Sequence, residues 1–397
     1  MPERAWRKTR LADAMAQDDL RARARAAVAT APLCDACLGR LFAEVDTGLA
    51  NEQRGRTIRQ ALGAPPPTET CHLCHNLFDA VDEWLVRARQ ALAGWEFATF
   101  AVSSRADPAV TQREAALWDR AGGDLAEPYK QAFNRRLGIA LYKATGRDID
   151  LDQPDVWVVA HHATGEVTLR IAPLLVRGRY RKLVRGIPQC RWRSWPTSVQ
   201  QIIGDPILAA AEGRDHVFHG CGREDTDVRC LGGRPFVLEV ARPRRRFLDW
   251  AALAQAISRS GQVEVTGLEP CRRPEVARLK RARPEKTYRA LVRLAEDADE
   301  ARLARLAGLV GTIAQRTPQR VLRRRANRVR RRRVCSLEWK RIGPRDLELV
   351  VRARAGTYIK ELISGDDGRT HPSVAEVLGI EAACAELDVL AIHIDDK

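Results

Sequence analysis

The stretch Gly222-Arg223-Glu224-Asp225-Thr226-Asp227-Val228-Arg229 decides how this chain is read. It lies between two apolar segments that read as strands, 215–220 and 235–241, and is closed by a Gly232-Gly233-Arg234-Pro235 turn. Two arginines and three carboxylates in eight loop residues exceed what a turn requires. Carboxylates set among arginines tend to stay ionised. Such a group is a nucleophile or a base, not a proton donor. The plainer alternative is a surface ion-pair loop.

Charge narrows the partner. The 397 residues carry 67 Lys+Arg against 51 Asp+Glu, a formal net charge of +16. Residues 301–333 hold 12 Arg and no acid, while 167–204 hold seven Arg, one Lys and no acid, which leaves the remainder at −4. Codon usage explains 58 Arg against nine Lys, but not the missing acids. Two acid-free basic segments indicate a polyanion-binding surface. Pro and Gly interrupt both runs, which favours nucleic acid over a membrane-lying helix. No stretch approaches ~18 apolar residues, so no membrane span is expected. Met1–Arg10 lacks the apolar core of a secretory signal.

Four of the ten cysteines form two pairs, Cys34-Asp-Ala-Cys37 and Cys71-His-Leu-Cys74. Each pair sets two thiolates on one turn, within reach of a metal at about 2.3 Å, and two such turns complete a tetrahedral site. Zinc is the expected occupant and its role structural, since no coordination position stays open. A redox pair and an iron–sulfur cluster are the alternatives, and His72 or His75 could replace a thiolate. Reduced pairs without a signal peptide suggest the cytoplasm.

Periodicity places helices at 16–29, 51–63, 75–93 and 124–144, the last with Tyr129, Phe133, Leu137 and Leu141 on one stripe. Strands follow near 96–104, 155–161, 165–171 and 172–182. The C-terminal half alternates strands (215–220, 235–241, 262–267, 287–295, 334–341, 346–354, 387–394) with helices (247–259, 273–282, 299–308, 357–364, 373–379), giving an α+β domain. The first basic run, Gly178-Arg179-Tyr180-Arg181 onward to Trp192 and Trp195, interleaves Arg with aromatics, a pattern suited to phosphate contact and base stacking. There is no GxxxxGK[ST] loop, no GxGxxG after a strand, no HExxH and no GxSxG elbow. A carboxylate without an organic cofactor, in an Arg-rich scaffold, is what remains.

These motifs resemble one family. Gly222-Arg223-Glu224-Asp225 with Asp227-Val228-Arg229 is similar to the catalytic loop of a pseudouridine synthase. Together with Cys230-Leu231-Gly232-Gly233-Arg234-Pro235-Phe236, it resembles the archaeal-type tRNA pseudouridine(54/55) synthases, the Pus-ten family. Cysteine pairs followed by Leu38-Gly39-Arg40, Lys286-Thr287-Tyr288, Gln315-Arg316-Thr317-Pro318, Arg323-Arg324-Arg325-Ala326 and Gly356-Thr357-Tyr358-Ile359-Lys360-Glu361-Leu362 agree in order. Cys221 and a short Gly232-Gly233 turn depart from the pattern.

The resemblance implies a helical, zinc-stapled module (1–94), a THUMP-containing RNA-binding accessory domain (95–195) and a mixed, mainly antiparallel-sheet pseudouridine synthase domain (196–397). It implies tRNA, through its T arm, as substrate of an isomerase reaction, with Asp225 as the essential carboxylate, Tyr288 stacked on uracil and Lys360 paired with Asp225; a chain that carries its own RNA-binding module is expected to act as a monomer. Arg223, Arg179, Tyr180, Arg181, Arg316, Arg323 and Arg324 would contact RNA, and Cys34, Cys37, Cys71 and Cys74 would hold Zn2+. Glu224 and Asp227 are the alternative acids. A non-catalytic tRNA chaperone and a different THUMP-type tRNA-modifying enzyme are the competing functions.

Overall fold

The computed structural model describes residues 6–394 and divides at Ala172/Pro173 into two compact units. The first holds helices α1 (Leu11–Ala14), α2 (Asp18–Thr30), α3 (Asp35–Arg40), α4 (Asn51–Leu62) and α5 (Val81–Leu92). Strand β1 (Thr99–Arg105), helices α6 (Pro108–Ala121) and α7 (Tyr129–Thr145), and strands β2 (Asp148–Ile149), β3 (Val156–His161) and β4 (Glu166–Ile171) complete it. Its sheet runs β2-β1-β3-β4, with β1 parallel to β2 and β3, and β4 antiparallel to β3. The expected stripe of Tyr129, Phe133, Leu137 and Leu141 is buried.

Helix α6 has no counterpart in the periodicity reading. Its mark is a cap: the Asp107 carboxylate accepts from the Ala109 N–H at 2.9 Å, and Pro108 opens the first turn. Helices α3 and α4 cross where a Cβ on Gly55 would run into the Asp35 carbonyl and one on Gly39 into the Asn51 carbonyl. Only glycine permits that approach.

The second unit contains β5 (Leu174–Lys182), α8 (Val199–Ala210), β6 (Asp215–Gly220), β7 (Arg229–Ala241), α9 (Trp250–Ser258), β8 (Val263–Pro270), α10 (Arg273–Arg281) and β9 (Glu285–Leu294). It continues with α11 (Glu300–Ala304), β10 (Gly311–Arg316), β11 (Val329–Arg341), β12 (Asp346–Ala353), α12 (Ile359–Ser364), β13 (Thr370–His371), α13 (Val374–Leu378) and β14 (Ala382–His393). The sheet order is β13-β10-β11-β12-β9-β14-β7-β5-β8, with β6 also on β7. All pairings are antiparallel except β14 with β7, which is parallel where Asp388–Val389 face Arg229–Cys230. One apolar core packs around β9, β12 and α12, and another around β5, β6, β7 and α8.

Two expectations need correction. The boundary near 195 moves to 172/173, because β5 hydrogen-bonds to β7 and β8 and gives Leu174, Val176 and Tyr180 to their core. Gly232-Gly233 is not a turn but part of β7, and a Cβ on Gly232 would strike the β14 backbone at Leu390 and Ala391. The second basic run is part loop and part strand pair, with residues 329–333 on β10.

The short β7–β14 seam is stitched by charge. Asp388 lies opposite Arg229 on β7 and Arg289 on β9. Its carboxylate accepts two hydrogen bonds from Arg229 at 2.8 Å, one from Arg289 at 2.7 Å and one from Arg185 at 2.8 Å. Burial opposes its ionisation, but the hydrogen bonds from Arg229 and Arg289 prevail and bring its pKa down to about 2. The depressed value means stability that is present above about pH 4 and lost as pH falls through about 2. We predict that Asp388→Asn lowers unfolding free energy by about 2 kcal/mol at neutral pH. It should also flatten the acid limb between those two pH values. Urea unfolding across that range checks both, and an unchanged acid limb would refute the seam's role.

Candidate active site

The loop 221–228 joins β6 to β7 between the two cores, and buried polar groups fix its path from below. Lys182, fully buried, spends its three ammonium protons on the carbonyls of Ile187 (2.9 Å), Thr226 (3.0 Å) and Asp225 (3.2 Å). Glu224 turns inward. The Tyr180 hydroxyl donates to it at 3.0 Å, and Arg234 Nε stands 3.0 Å from Glu224 Oε2 in an ionic contact without hydrogen-bond alignment. Arg234 Nη1 donates to the Cys221 carbonyl at 2.8 Å. Burial works against the Arg234 charge, yet Glu224 holds that guanidinium above its ordinary pKa. Gln189 closes the network, donating to Tyr180 Oη at 2.8 Å and to the Gly222 carbonyl at 2.9 Å.

With Glu224 turned down, Asp225 points into a cleft of about 1040 Å³ that Tyr288, Lys286, Arg320, Tyr358 and Lys360 also line. Arg320 Nη1 donates to Asp225 Oδ2 at 2.9 Å and its Nε to Glu361 Oε1 at 2.6 Å. Lys360 donates instead to Asp227, at 2.5 Å. Against the effect of burial, that lysine keeps Asp227 below its usual carboxylate value. Burial pushes the Tyr288 phenol up to about 12, so it is protonated at neutral pH. Burial, with Arg234 nearby, brings Lys286 down to about 8.

The structure therefore gathers Asp225, Tyr288, Lys360 and Arg223 around one cleft but changes the pairing expected of Lys360. Arg320 occupies that position, and sequence reasoning passed over it because it looks like one more arginine in a basic run. Tyr180 is not available to RNA: it is fully buried beneath the loop as a donor to Glu224. Its aromatic–basic surroundings misled, because β5 alternates and sends Tyr180 to the core side. Arg181 is exposed but bound to Glu264 at 2.6 Å, and Arg179 donates to the Gly233 carbonyl at 3.1 Å. Arg316, Arg323 and Arg324 are exposed, at or beyond the end of β10. Glu224 is held in a buried pairing with Arg234, which no spacing rule announces.

In the first unit Cys34, Cys37, Cys71 and Cys74 are buried, with their sulfurs all within 4.8 Å of one another. Cys34 and Cys74 sulfurs are 3.7 Å apart, close to the roughly 3.8 Å edge of a tetrahedron with 2.3 Å arms. The donor set fits a four-thiolate metal site. His72 and His75 are exposed and stand outside it.

The chain thus joins an accessory unit to a mainly antiparallel α+β domain whose cleft is lined by Asp225. Residues 175–393 match the family model described as Pus10, C-terminal, and 84–161 match Pus10 THUMP domain, archaeal. The chain belongs to the Pus10 family. It is 39% identical to the tRNA pseudouridine synthase Pus10 of Methanothrix thermoacetophila, over 91% of this chain and 92% of that protein. It is 38% identical to the protein of the same name from Pyrococcus furiosus, over 92% and 95% respectively.

The buried pair predicts non-additive stability. Glu224→Gln strands the Arg234 charge and should cost about 3–5 kcal/mol, as should Arg234→Met. The double variant should cost clearly less than the sum of the two. Denaturant unfolding of the three variants checks this, and simple additivity would contradict the pairing.

Proposed function

We propose that this chain isomerises uridine to pseudouridine in the T arm of tRNA, at position 54, position 55 or both. The observation that carries the reading is the Asp225 carboxylate, turned into a basic cleft that Tyr288 also lines while its neighbour Glu224 is buried beneath. The reaction breaks the N1–C1′ bond, rotates the uracil and forms the C5–C1′ bond, and the C5 proton leaves while N1 gains one. No atom or electron is added or removed, so no organic cofactor enters. Asp225 acts on the sugar as nucleophile or as base. Arg320, bonded to both Asp225 and Glu361, holds the carboxylate in place. Tyr288 enters protonated and stacks on the extruded uracil. Taking the base proton, the role the family resemblance implies, first requires loss of its own.

The tRNA would be held by the basic loop after β10, where arginines outnumber any other type between 320 and 333. That grip makes binding fall with added salt. We also read the four thiolates as a structural zinc site and the chain as a monomer acting in the cytoplasm. Among the described residues, no helix is long and apolar enough to cross a membrane.

Incubation with an unmodified tRNA transcript and mapping of pseudouridine tests the reading. Wild type should convert one or both T-arm uridines, and Asp225→Asn should lose at least about 10³-fold. Binding without conversion by wild type would favour a tRNA chaperone. For the metal, elemental analysis should find one zinc per chain. Removing it with a chelator should lower the melting temperature of the first unit, and retention of full stability without metal would dismiss a structural role.

A further inference from the structure

Residues 190–198 form a loop whose two ends are tied together. The Val199 N–H donates to the Pro188 carbonyl at 3.0 Å, and the Gln200 N–H to the Gln189 carbonyl at 2.9 Å. Gln189 also bonds the Gly222 carbonyl, so the root of this loop is joined to the Asp225 loop. Within it the Trp195 N–H donates to the Trp192 carbonyl at 3.1 Å, closing a turn. Trp192 is 44% exposed and Trp195 38%. Leaving two indoles in water on one turn forgoes the burial that usually places tryptophan inside. Both line a second cleft of about 590 Å³ that contains Asp225. From the other wall, the Arg324 guanidinium lies over the Trp192 ring, 4.8 Å from its centroid.

We propose that Trp192 and Trp195 form a stacking platform for the nucleobase next to the uridine that enters the Asp225 cleft. This rests on the uridine-isomerising reading of that cleft. Extruding a uridine strips its neighbour of one stacking surface. An aromatic face at the same cleft replaces it, whatever the base. The Arg324 contact shows that the Trp192 face receives a flat, delocalised group from the cleft side. A base has the same flat form. On displacing Arg324 it frees that guanidinium for the adjoining phosphate. Arg191 and Arg193 flank the first indole, and no acid lies between 190 and 198. Apolar faces set among cations match a base joined to phosphate. They do not match an apolar peptide, which would leave the cations unmet.

The test uses the full chain and a T-arm stem-loop RNA, either intact or with an abasic site on the 5′ or 3′ side of the target. Trp192→Ala should raise KM about 5- to 100-fold while kcat at saturating RNA stays within about twofold. Trp192→Phe should restore most of the loss. With the abasic site at the stacked neighbour, wild type should lose the same factor and Trp192→Ala nothing more. Losses that multiply at both neighbours, or a fall in kcat alone, would overturn the platform. If wild type makes no pseudouridine, the isomerase reading fails. Equilibrium binding of the same RNAs then judges the platform: coupling between Trp192 and one neighbour upholds it, and independence ends it.

Discussion

A carboxylate and a guanidinium, Glu224 and Arg234, are buried against each other beneath the loop that carries Asp225. Taking both charges out of water is costly. The cost is offset because the pair does not stand alone: Tyr180 donates to Glu224, Arg234 donates to the Cys221 carbonyl, and Gln189 in turn donates to the Tyr180 hydroxyl. The consequence is directional. A loop of Glu-Asp sequence has two adjacent carboxylates and must send one down and one up. Arg234 selects Glu224 for the interior, and Asp225 is left facing the cleft. Lys182, fully buried and bonded to three carbonyls of neighbouring turns, then removes the backbone freedom that would let the two exchange.

How far this was legible follows from the range of the interactions. Elements built on local periodicity, such as the α7 stripe and most strands of the second unit, could be read directly, because side-chain period reports the buried face. The cysteine pairs were legible for the same reason, since metal geometry imposes short spacings. Helix α6 shows only a weak apolar stripe, so periodicity does not reveal it, and its Asp107-Pro108 start is the one local signal. The strand character of Gly232-Gly233 was not legible. It depends on the β14 backbone passing close by, some 160 residues later in the chain.

Side-chain partners were the least legible. The motifs located Asp225, Tyr288 and Lys360 on one cleft, but pairing among like charges is decided by tertiary geometry. Lys360 went to Asp227 and Arg320 to Asp225, each through contacts of more than 90 residues' separation. An arginine in an Arg-rich run carries no sequence mark that separates a carboxylate partner from a phosphate partner. The same ambiguity made Tyr180 look like an RNA contact, when strand alternation had already assigned it to the core.

The parallel stitch between β7 and β14 also sets the order in which the molecule can become competent. Asp388 follows all of its partners in chain order, so until residues 382–393 have been made Arg229, Arg289 and Arg185 lack its carboxylate. The nascent chain thus exposes its arginine loops well before the Asp225 loop is anchored on its β14 side.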